Sequence, residues 1–480
     1  MIQKGKKCHF NAWELGSCKV NIGELFMSYK YTSIDLFSGP GGLCTGLKEV
    51  GIKPLIAVEM SSNTVQTYSQ THDADILVLK DWLANKENTS HLFQRSERTI
   101  IIEGDITKVS NELITSLLQS RYGVSKVDVV TGGAPCESFS FAGTRREEDE
   151  RNNLFLNLER VAKHVDAKIL LFENVKGLFS KPYEGIKGGM YHLICDELEN
   201  KNSEGIAFNL TSRKKEDVLL NAKNYGTPQS RERIILVGVN TKYKNTFTYP
   251  LKTHGPGCIH PYVTVQDAFM WLPSVGVREE EENLELDISN LFGQQNLPEH
   301  LRLYLEFMCG NRFRKPSHLD NYITSHKGPG HREKVMERFT HIKPGEGTRK
   351  AGLRLIAAGQ EELVKKLFPK ALYNASHRRL KLNEPSHTVT GHCLDEMLHP
   401  ILNRSITVRE AARLQSFPDW YRFIGPYVNF HGHKEQNRYE QVGDAIPPLL
   451  GYALGEEIVK TLDTLEENAT NELNLLENRK

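Results

Sequence analysis

Long apolar runs are missing from this sequence, and that absence narrows what the chain can be. No stretch approaches the roughly 20 apolar residues a helix needs to cross a bilayer, and the opening MIQKGKKCHFNAWELG lacks the apolar core of a secretory leader. A cytoplasmic protein with no membrane partner is expected. Paired cysteines are missing as well. The eight thiols, Cys8, Cys18, Cys44, Cys136, Cys195, Cys258, Cys309 and Cys393, form no CxxC pair and no Cys/His ligand spacing, so neither a disulfide framework nor a metal site is indicated. Net charge is nearly absent, at +1, and by itself says nothing about partners. Repeats and low-complexity segments are lacking too.

What is present is a globular composition, 39% hydrophobic and 25% charged over 480 residues, long enough for two domains. Charge is unevenly placed. From Cys309 to Lys350 ten Lys/Arg face four acids, a local +6; such a run is often only a solvated surface. The C-terminal EEIVKTLDTLEENATNELNLLENRK is acidic and patterned as an amphipathic helix fraying into polar sequence.

Organisation follows from the apolar runs. TSIDLF (32–37), PLIAVEM (54–60), TIIIEGDI (99–106), VDVVTGG (127–133) and KILLFEN (168–174) are nearly continuous, as parallel strands buried on both faces are. Helical spacing lies between them, so the first 250 residues predict an α/β fold with a doubly wound, mostly parallel sheet. DVLLNAKNYGTPQSRERIILVGV (217–239) predicts two strands pairing antiparallel at the sheet edge, because their linker is too short for a helical crossover. Beyond about 250 the pattern breaks into Gly, Pro, His and basic residues, which predicts a second, smaller domain.

Candidate chemistry collects at the carboxyl ends of the strands, where open α/β sheets bind ligands. DLFSGPGG (35–42) is a Gly-rich strand-to-helix turn, but not GxGxxG. Glu59 ends the second run, some 20 residues after Gly39, where a carboxylate suits ribose hydroxyls, and Asp105 ends the third. With no phosphate-binding Lys or Arg in the turn, these point to a nucleoside cofactor without a pyrophosphate, a description that S-adenosylmethionine fits. Cys136 follows the fourth run in TGGAPCESFSFAG. A lone cysteine is most often a small buried hydrophobe, but this one shares its sheet edge with Glu173, placed after KILLF where desolvation raises a carboxyl pKa. Arg231 and Arg233 in QSRER lie at i, i+2 spacing, which sets both on one face of a strand. A thiolate, a neutral carboxyl and an arginine solve one problem: carbon 5 of cytosine becomes nucleophilic only when a thiolate adds at carbon 6 and the charge developing at N3 and the carbonyl oxygen is neutralised.

With DLFSGPGG, AVEM, GDIT, GGAPCESFSFAG, FENVKGL, LNAKNYGTPQSRERIILVG, SITVREAARLQSFPDWY (405–421) and QVGDAIPPLLGYALG (441–455) in this order, the chain resembles the DNA cytosine-5 methyltransferases of bacterial restriction-modification systems. The resemblance implies a methyltransferase fold dependent on S-adenosylmethionine, with Phe37, Gly39, Gly41, Gly42, Glu59, Asp105, Ile106, Pro135 and Asp444 at the cofactor and Cys136, Glu173, Arg231 and Arg233 at the cytosine. It implies an N-terminal extension (1–29), a catalytic domain (30–250), a target-recognition domain (251–400) and a return to the catalytic domain with a C-terminal helix (401–480). Residues Arg409 to Gln415 would organise the recognition region, and AGTRREEDERNN after Cys136 would close over a flipped-out cytosine. Duplex DNA is the implied partner, of a monomer that pairs functionally with a restriction endonuclease without needing a complex. Basic side chains such as Arg378 or Arg379 are expected to hold DNA. Two positions depart from the family pattern: Glu137 and Asp444 stand where amides are usual. Transfer-RNA methylation and a non-enzymatic DNA-binding regulator are the competing readings; the roughly 150-residue recognition region favours DNA, and the intact Cys136, Glu173 and Arg233 favour an enzyme.

Overall fold

A computed structural model of the chain describes residues 29–134, 154–280, 284–285, 297–309, 322–373, 376–429 and 435–477. Its central sheet has nine strands: β1 (Tyr31–Leu36), β2 (Ile52–Glu59), β3 (Ala74–Val78), β4 (Thr99–Glu103), β5 (Val129–Gly132), β6 (Ile169–Val175), β7 (Phe208–Leu210), β8 (Leu219–Asn221) and β9 (Glu232–Asn240). They lie in the order β3-β4-β2-β1-β5-β6-β9-β7, with β8 also on β9. The six strands β1 to β6 are mutually parallel, whereas β9 runs antiparallel to β6, β7 and β8. The sheet is therefore mostly parallel and α/β, as the continuous apolar runs predict.

Two details differ from the sequence reading. Strand β3, ADILV, has no counterpart among the predicted runs because it is short and follows the polar Thr71-His72-Asp73. The predicted pair at 217–239 does form antiparallel, but β9 is not the edge: β6 holds one side of it and β7 and β8 the other.

Alternation along the buried strands divides the core into two layers, since successive side chains point to opposite faces. Ile34, Leu36, Ile100, Ile102, Val130, Leu170, Phe172, Ile234 and Leu236 pack into one layer with Leu158, Val161 and Ile194. Ile52, Val129, Ile169, Leu171, Ile235 and Val237 pack into the other. There they meet Leu43 and Leu47 of α1 (Gly42–Glu49) and Leu450, Leu454, Ile458, Leu462 and Leu465 of the C-terminal helix Pro448–Glu477. That i, i+3 and i+4 spacing is one stripe of a helix, so the acidic tail seen in the sequence docks its apolar side on the sheet as far as Leu465.

A separate apolar core joins Val263, Val265, Leu301, Tyr304, Leu305 and Met308 to Leu380, Val389, Ile406, Val408, Ala411, Leu414, Phe417, Tyr421, Tyr439, Val442 and Ala445. From Ile446 onward the buried apolar side chains belong to the sheet, while the partly buried Leu449 still packs on the second core, so the chain changes cores around Ala445 and Ile446. Among its described residues this second unit is built from short helices, and its strands are only two-residue pairs, such as Arg378–Arg379 on Met397–Leu398.

Candidate active site

Sheet register brings three chain exits together. Leu36 of β1 lies opposite Gly132 of β5, and Gly132 opposite Phe172 of β6; the next residue on each strand is Phe37, Gly133 and Glu173. On the other flank Glu59 of β2 is level with Glu103 of β4, and β1 with β5 marks the point where the strand order reverses. A ligand crevice at that point is a general property of such sheets.

The turn after β1 is tightly specified. Phe37 and Gly39 have positive φ of 55° and 53°, and Gly41 has 96°. A non-glycine residue held there is strained by about 1 kcal/mol or more, so the surroundings must impose the shape. They do so through Glu59, which accepts from the Gly39 amide at 3.0 Å with one oxygen and from the Met60 and Ser61 amides at 2.8 and 2.9 Å with the other. Burial still raises the Glu59 carboxyl above its usual range, although those three amides pull it down. Asp35, at the end of β1, accepts from the Thr131 hydroxyl at 2.7 Å. Its other oxygen is buried with no hydrogen-bond partner among the described residues, and burial pushes this carboxyl up to about 7. Asp105 caps the short turn Ile106–Lys108 through the Thr107 amide, with Ile106 buried beside it. A Cβ on Gly42 would strike the carbonyl oxygen of Ile446, which places the QVGDAIPP segment against the turn.

At the β6 end, Glu173 meets Arg233 at 2.9 Å, both side chains 12% exposed. Desolvation raises the Glu173 carboxyl, opposed by the charges of Arg233 and Arg231. Gly133 has no side chain because none fits: a Cβ there would lie 2.6 Å from a Glu173 oxygen. The neighbouring Asn174, buried at the same exit, donates to the Ala134 carbonyl at 3.3 Å and accepts from the Val175 amide at 2.9 Å. A cleft of about 260 Å³, lined by Val175, Lys176, Gly177, Ser230, Glu232, Arg233 and Thr388, opens beside the pair. Cys136, Pro135 and Glu137, with the whole 135–153 segment, lie outside the described residues; the described chain resumes at Leu154 and stops at Ala134, two residues before the cysteine.

The two arginines do not act alike. Arg233 lies within β9, opposite Val175, whereas Arg231 precedes the strand, so strand alternation does not govern it. Its side chain is fully buried and donates to the carbonyls of Val389 at 2.7 Å and Gly443 at 2.8 Å. It ties the sheet to the second unit rather than facing the cleft with Arg233. Asp444 lies close by, hydrogen-bonded to Gln436 at 2.9 Å, and the surrounding protein raises its carboxyl while Arg231 and Arg233 pull it down. It thus neighbours the arginines, and the next two residues, Ala445 and Ile446, reach the Gly-rich turn.

Two glutamines complete the junction: Gln229, with no role in the sequence reading, and Gln415, placed there only at the end of the organising Arg409–Gln415 stretch. The Gln229 amide donates to the Leu414 carbonyl and to Gln415, and its oxygen accepts from the Val389 amide; Gln415 in turn donates to the carbonyls of Val442 and Ala445. Their only sequence signal is position, inside QSRER and RLQSF. Arg409 and Arg413 on helix Val408–Leu414 also point inward, to the carbonyls of Thr324, Tyr421, Ala268 and Met270 and to Asp419. Arg379 corrects an expectation: it is buried, and its guanidinium donates to the carbonyls of Ile342, His399, Leu402 and Phe339 and to Asn403, so it cannot hold DNA. Arg378 remains exposed. Among the described residues no helix is long and apolar enough to cross a membrane.

Comparison with known proteins identifies relatives of the chain. The sequence profile of C-5 cytosine-specific DNA methylases matches residues 31–91 and 82–460. Type II methyltransferase M.DdeI of Desulfomicrobium norvegicum is 28% identical over 439 residues, covering 88% of each chain, and type II methyltransferase M.AgeI of Thalassovita gelatinovora is 29% identical over 485 residues, covering 89% of this chain and 98% of its own. Among solved structures, one described as a prophage-encoded DNA modification methyltransferase of E. coli superposes with a TM-score of 0.59 over 90% of this chain and 99% of its own, at 21% identity, a likeness of fold. With the profile spanning β1 to the C-terminal helix, the chain belongs to the C-5 cytosine-specific DNA methylases.

Proposed function

We propose that this DNA cytosine-5 methyltransferase modifies a cytosine flipped out of a specific duplex sequence, through a covalent bond between Cys136 and carbon 6, and that it protects DNA against a cognate restriction endonuclease. The observation that carries the reading is Glu173: a desolvated carboxyl with raised pKa, paired with Arg233 at the exit of β6, beside the exit of β5 that leads to Cys136. A neutral Glu173 donates its proton toward ring N3, and Arg233 faces the carbonyl oxygen, so both act on charge that develops as the thiolate adds. Addition forms the sulfur–carbon 6 bond and makes carbon 5 the nucleophile. After methylation, loss of the carbon 5 proton to a base expels the thiolate. Arg231, bonded to Val389 and Gly443, positions rather than reacts.

S-adenosylmethionine supplies the methyl group when bound. The described residues suit it: the turn of Phe37, Gly39, Gly41 and Gly42, the Glu59 carboxylate, the leftover Asp35 oxygen, Asp105 with Ile106, and Asp444; Pro135, which the resemblance adds, lies outside the described residues. Glu59 suits ribose hydroxyls and Ile106 an apolar ring face. Residues 251–400 read the target sequence in this proposal, and the chain works in the cytoplasm as a monomer. The restriction-modification setting rests on the type II relatives.

DNA bearing 5-fluorocytosine tests the mechanism, because a fluorine at carbon 5 cannot leave as a proton. The parent enzyme should form a denaturation-resistant complex after methyl transfer, and Cys136→Ser should form none. A complex that persists in Cys136→Ser would show that another group attacks the ring.

A further inference from the structure

Behind the Gly-rich turn lies a buried polar chain that neither the cytosine site nor the cofactor-facing residues use. Tyr421, from the distant QSFPDWY segment, is fully buried and donates its hydroxyl to the carbonyl of Pro40 inside the turn. The same hydroxyl lies 3.2 Å from His72 Nε2, and His72, at the last residue of α2 (Ser62–His72), presents Nδ1 at 3.7 Å from Cys44 Sγ. Cys44 meets the Tyr68 hydroxyl at 3.3 Å.

Donor and acceptor rules order this chain. Pro40 offers only an acceptor there, so Tyr421 spends its one proton on it and must accept from His72. For a neutral ring, Nε2 then carries the hydrogen, Nδ1 accepts from the Cys44 thiol, and Tyr68 donates to sulfur. In this order the sequence ends on the turn, where the Thr45 hydroxyl also meets Tyr421. Packing agrees: a Cβ on Gly41 would strike His72 Nε2, and the Thr45 hydroxyl holds the Gly41 carbonyl at 2.8 Å.

We infer that His72 and Tyr421 are positioning residues for cofactor binding, which hold the Gly-rich turn in its receiving shape from behind while Glu59 holds it in front. Three positive-φ residues in five do not keep such a turn by themselves. A chain anchored on Pro40 makes the shape a property of the folded whole, and because Tyr421 comes from the second unit's core, assembly of that unit and formation of the turn are one event. The inference rests on the reading that this turn receives S-adenosylmethionine.

The test measures S-adenosylhomocysteine affinity by calorimetry on the full chain without DNA. Tyr421→Phe keeps the ring among Phe417, Trp420 and Phe423 and removes only the hydroxyl; affinity should fall about tenfold, the equivalent of ~1.4 kcal/mol. KM for S-adenosylmethionine should rise with it, while kcat at saturation and binding of a generic DNA duplex stay within about twofold. His72→Leu should match that loss, and His72→Gln, whose amide can still reach the tyrosine, should recover most of it. Affinity within twofold of the parent in Tyr421→Phe overturns the inference, as does an equal loss of DNA binding, which would report general unfolding. Glu59→Ala separates the two readings: if it weakens binding and Tyr421→Phe does not, only this inference fails, and if neither matters the turn is not the cofactor's seat and both fall.

Discussion

The sheet and the second unit solve the same problem, a dry interior, with opposite materials. In the sheet, backbone groups are satisfied by the parallel ladder and the interior is aliphatic: Ile34, Ile101, Val130, Leu170 and Ile235 are fully buried with nothing polar to pair. Among its described residues the second unit has few β-ladders, so carbonyls outside its helices need other donors. Buried arginines supply them. Arg379 serves four carbonyls, Arg409 bonds those of Thr324, Pro418 and Tyr421, and Arg404 joins the Val275 carbonyl to the Glu410 carboxylate. A guanidinium, with five donors in a rigid fork, stands in for absent ladder partners. Basic residues in this half are therefore partly architecture, and a local positive charge is not a count of DNA contacts.

The largest expected effect breaks that architecture. Arg404→Leu strips Glu410 of a partner 2.7 Å away in a fully buried pair and should destabilise by about 3–5 kcal/mol, seen as a lower denaturation midpoint. If the midpoint hardly moves, the arginine scaffold is dispensable and the contrast with the sheet fails.

Acid should separate the two regions next. His377, His387 and His399 are pushed down to about 4 by burial, so between about 6.5 and 4 the unfolded chain binds more protons and the second unit loses stability as pH falls. Glu410, held down to about 2 chiefly against its own burial by Arg404, extends the loss below its ordinary value of 4.5. Asp35, Glu59 and Glu173 are raised instead, and their neutral forms favour the folded sheet as pH falls. Hydrogen exchange should show segments 376–423 losing protection at pH 5 before β1 to β6, by on the order of a few kcal/mol; simultaneous loss would refute the division.

Ile101→Val, in the sheet, should cost only about 0.5–1.5 kcal/mol, with no change in pH response. Smallest in stability is Arg378→Ala, expected within about 0.5 kcal/mol. It should weaken DNA binding across sequences and lower the salt slope by roughly one if this exposed cation contacts phosphate; unchanged binding would place the DNA face elsewhere.

Much of this was legible in the linear chain. Continuous apolar runs mark buried parallel strands, and Gly-rich turns and lone acids mark their exits, because strand burial and ligand approach are written in local residue types. Glu173 could be read as desolvated from the KILLF before it. The neighbouring arginines could not be told apart, since Arg231 and Arg233 are identical in type and their difference is where β9 begins. Strand β3 escaped because five residues after a polar turn carry little pattern.

By itself, then, the sequence determined the α/β class, the family and which residues stand at the strand ends, all consequences of short-range pattern and motif order. Tertiary structure alone decided that Arg379 is a buried scaffold and Arg378 a surface cation, that Gln229 and Gln415 bridge three segments, and that Tyr421 reaches Pro40 across 381 positions. The reason is physical: burial and hydrogen-bond partnership belong to the packed chain, and an arginine or tyrosine carries the same donors whether it meets solvent, DNA or a carbonyl from the other end of the molecule.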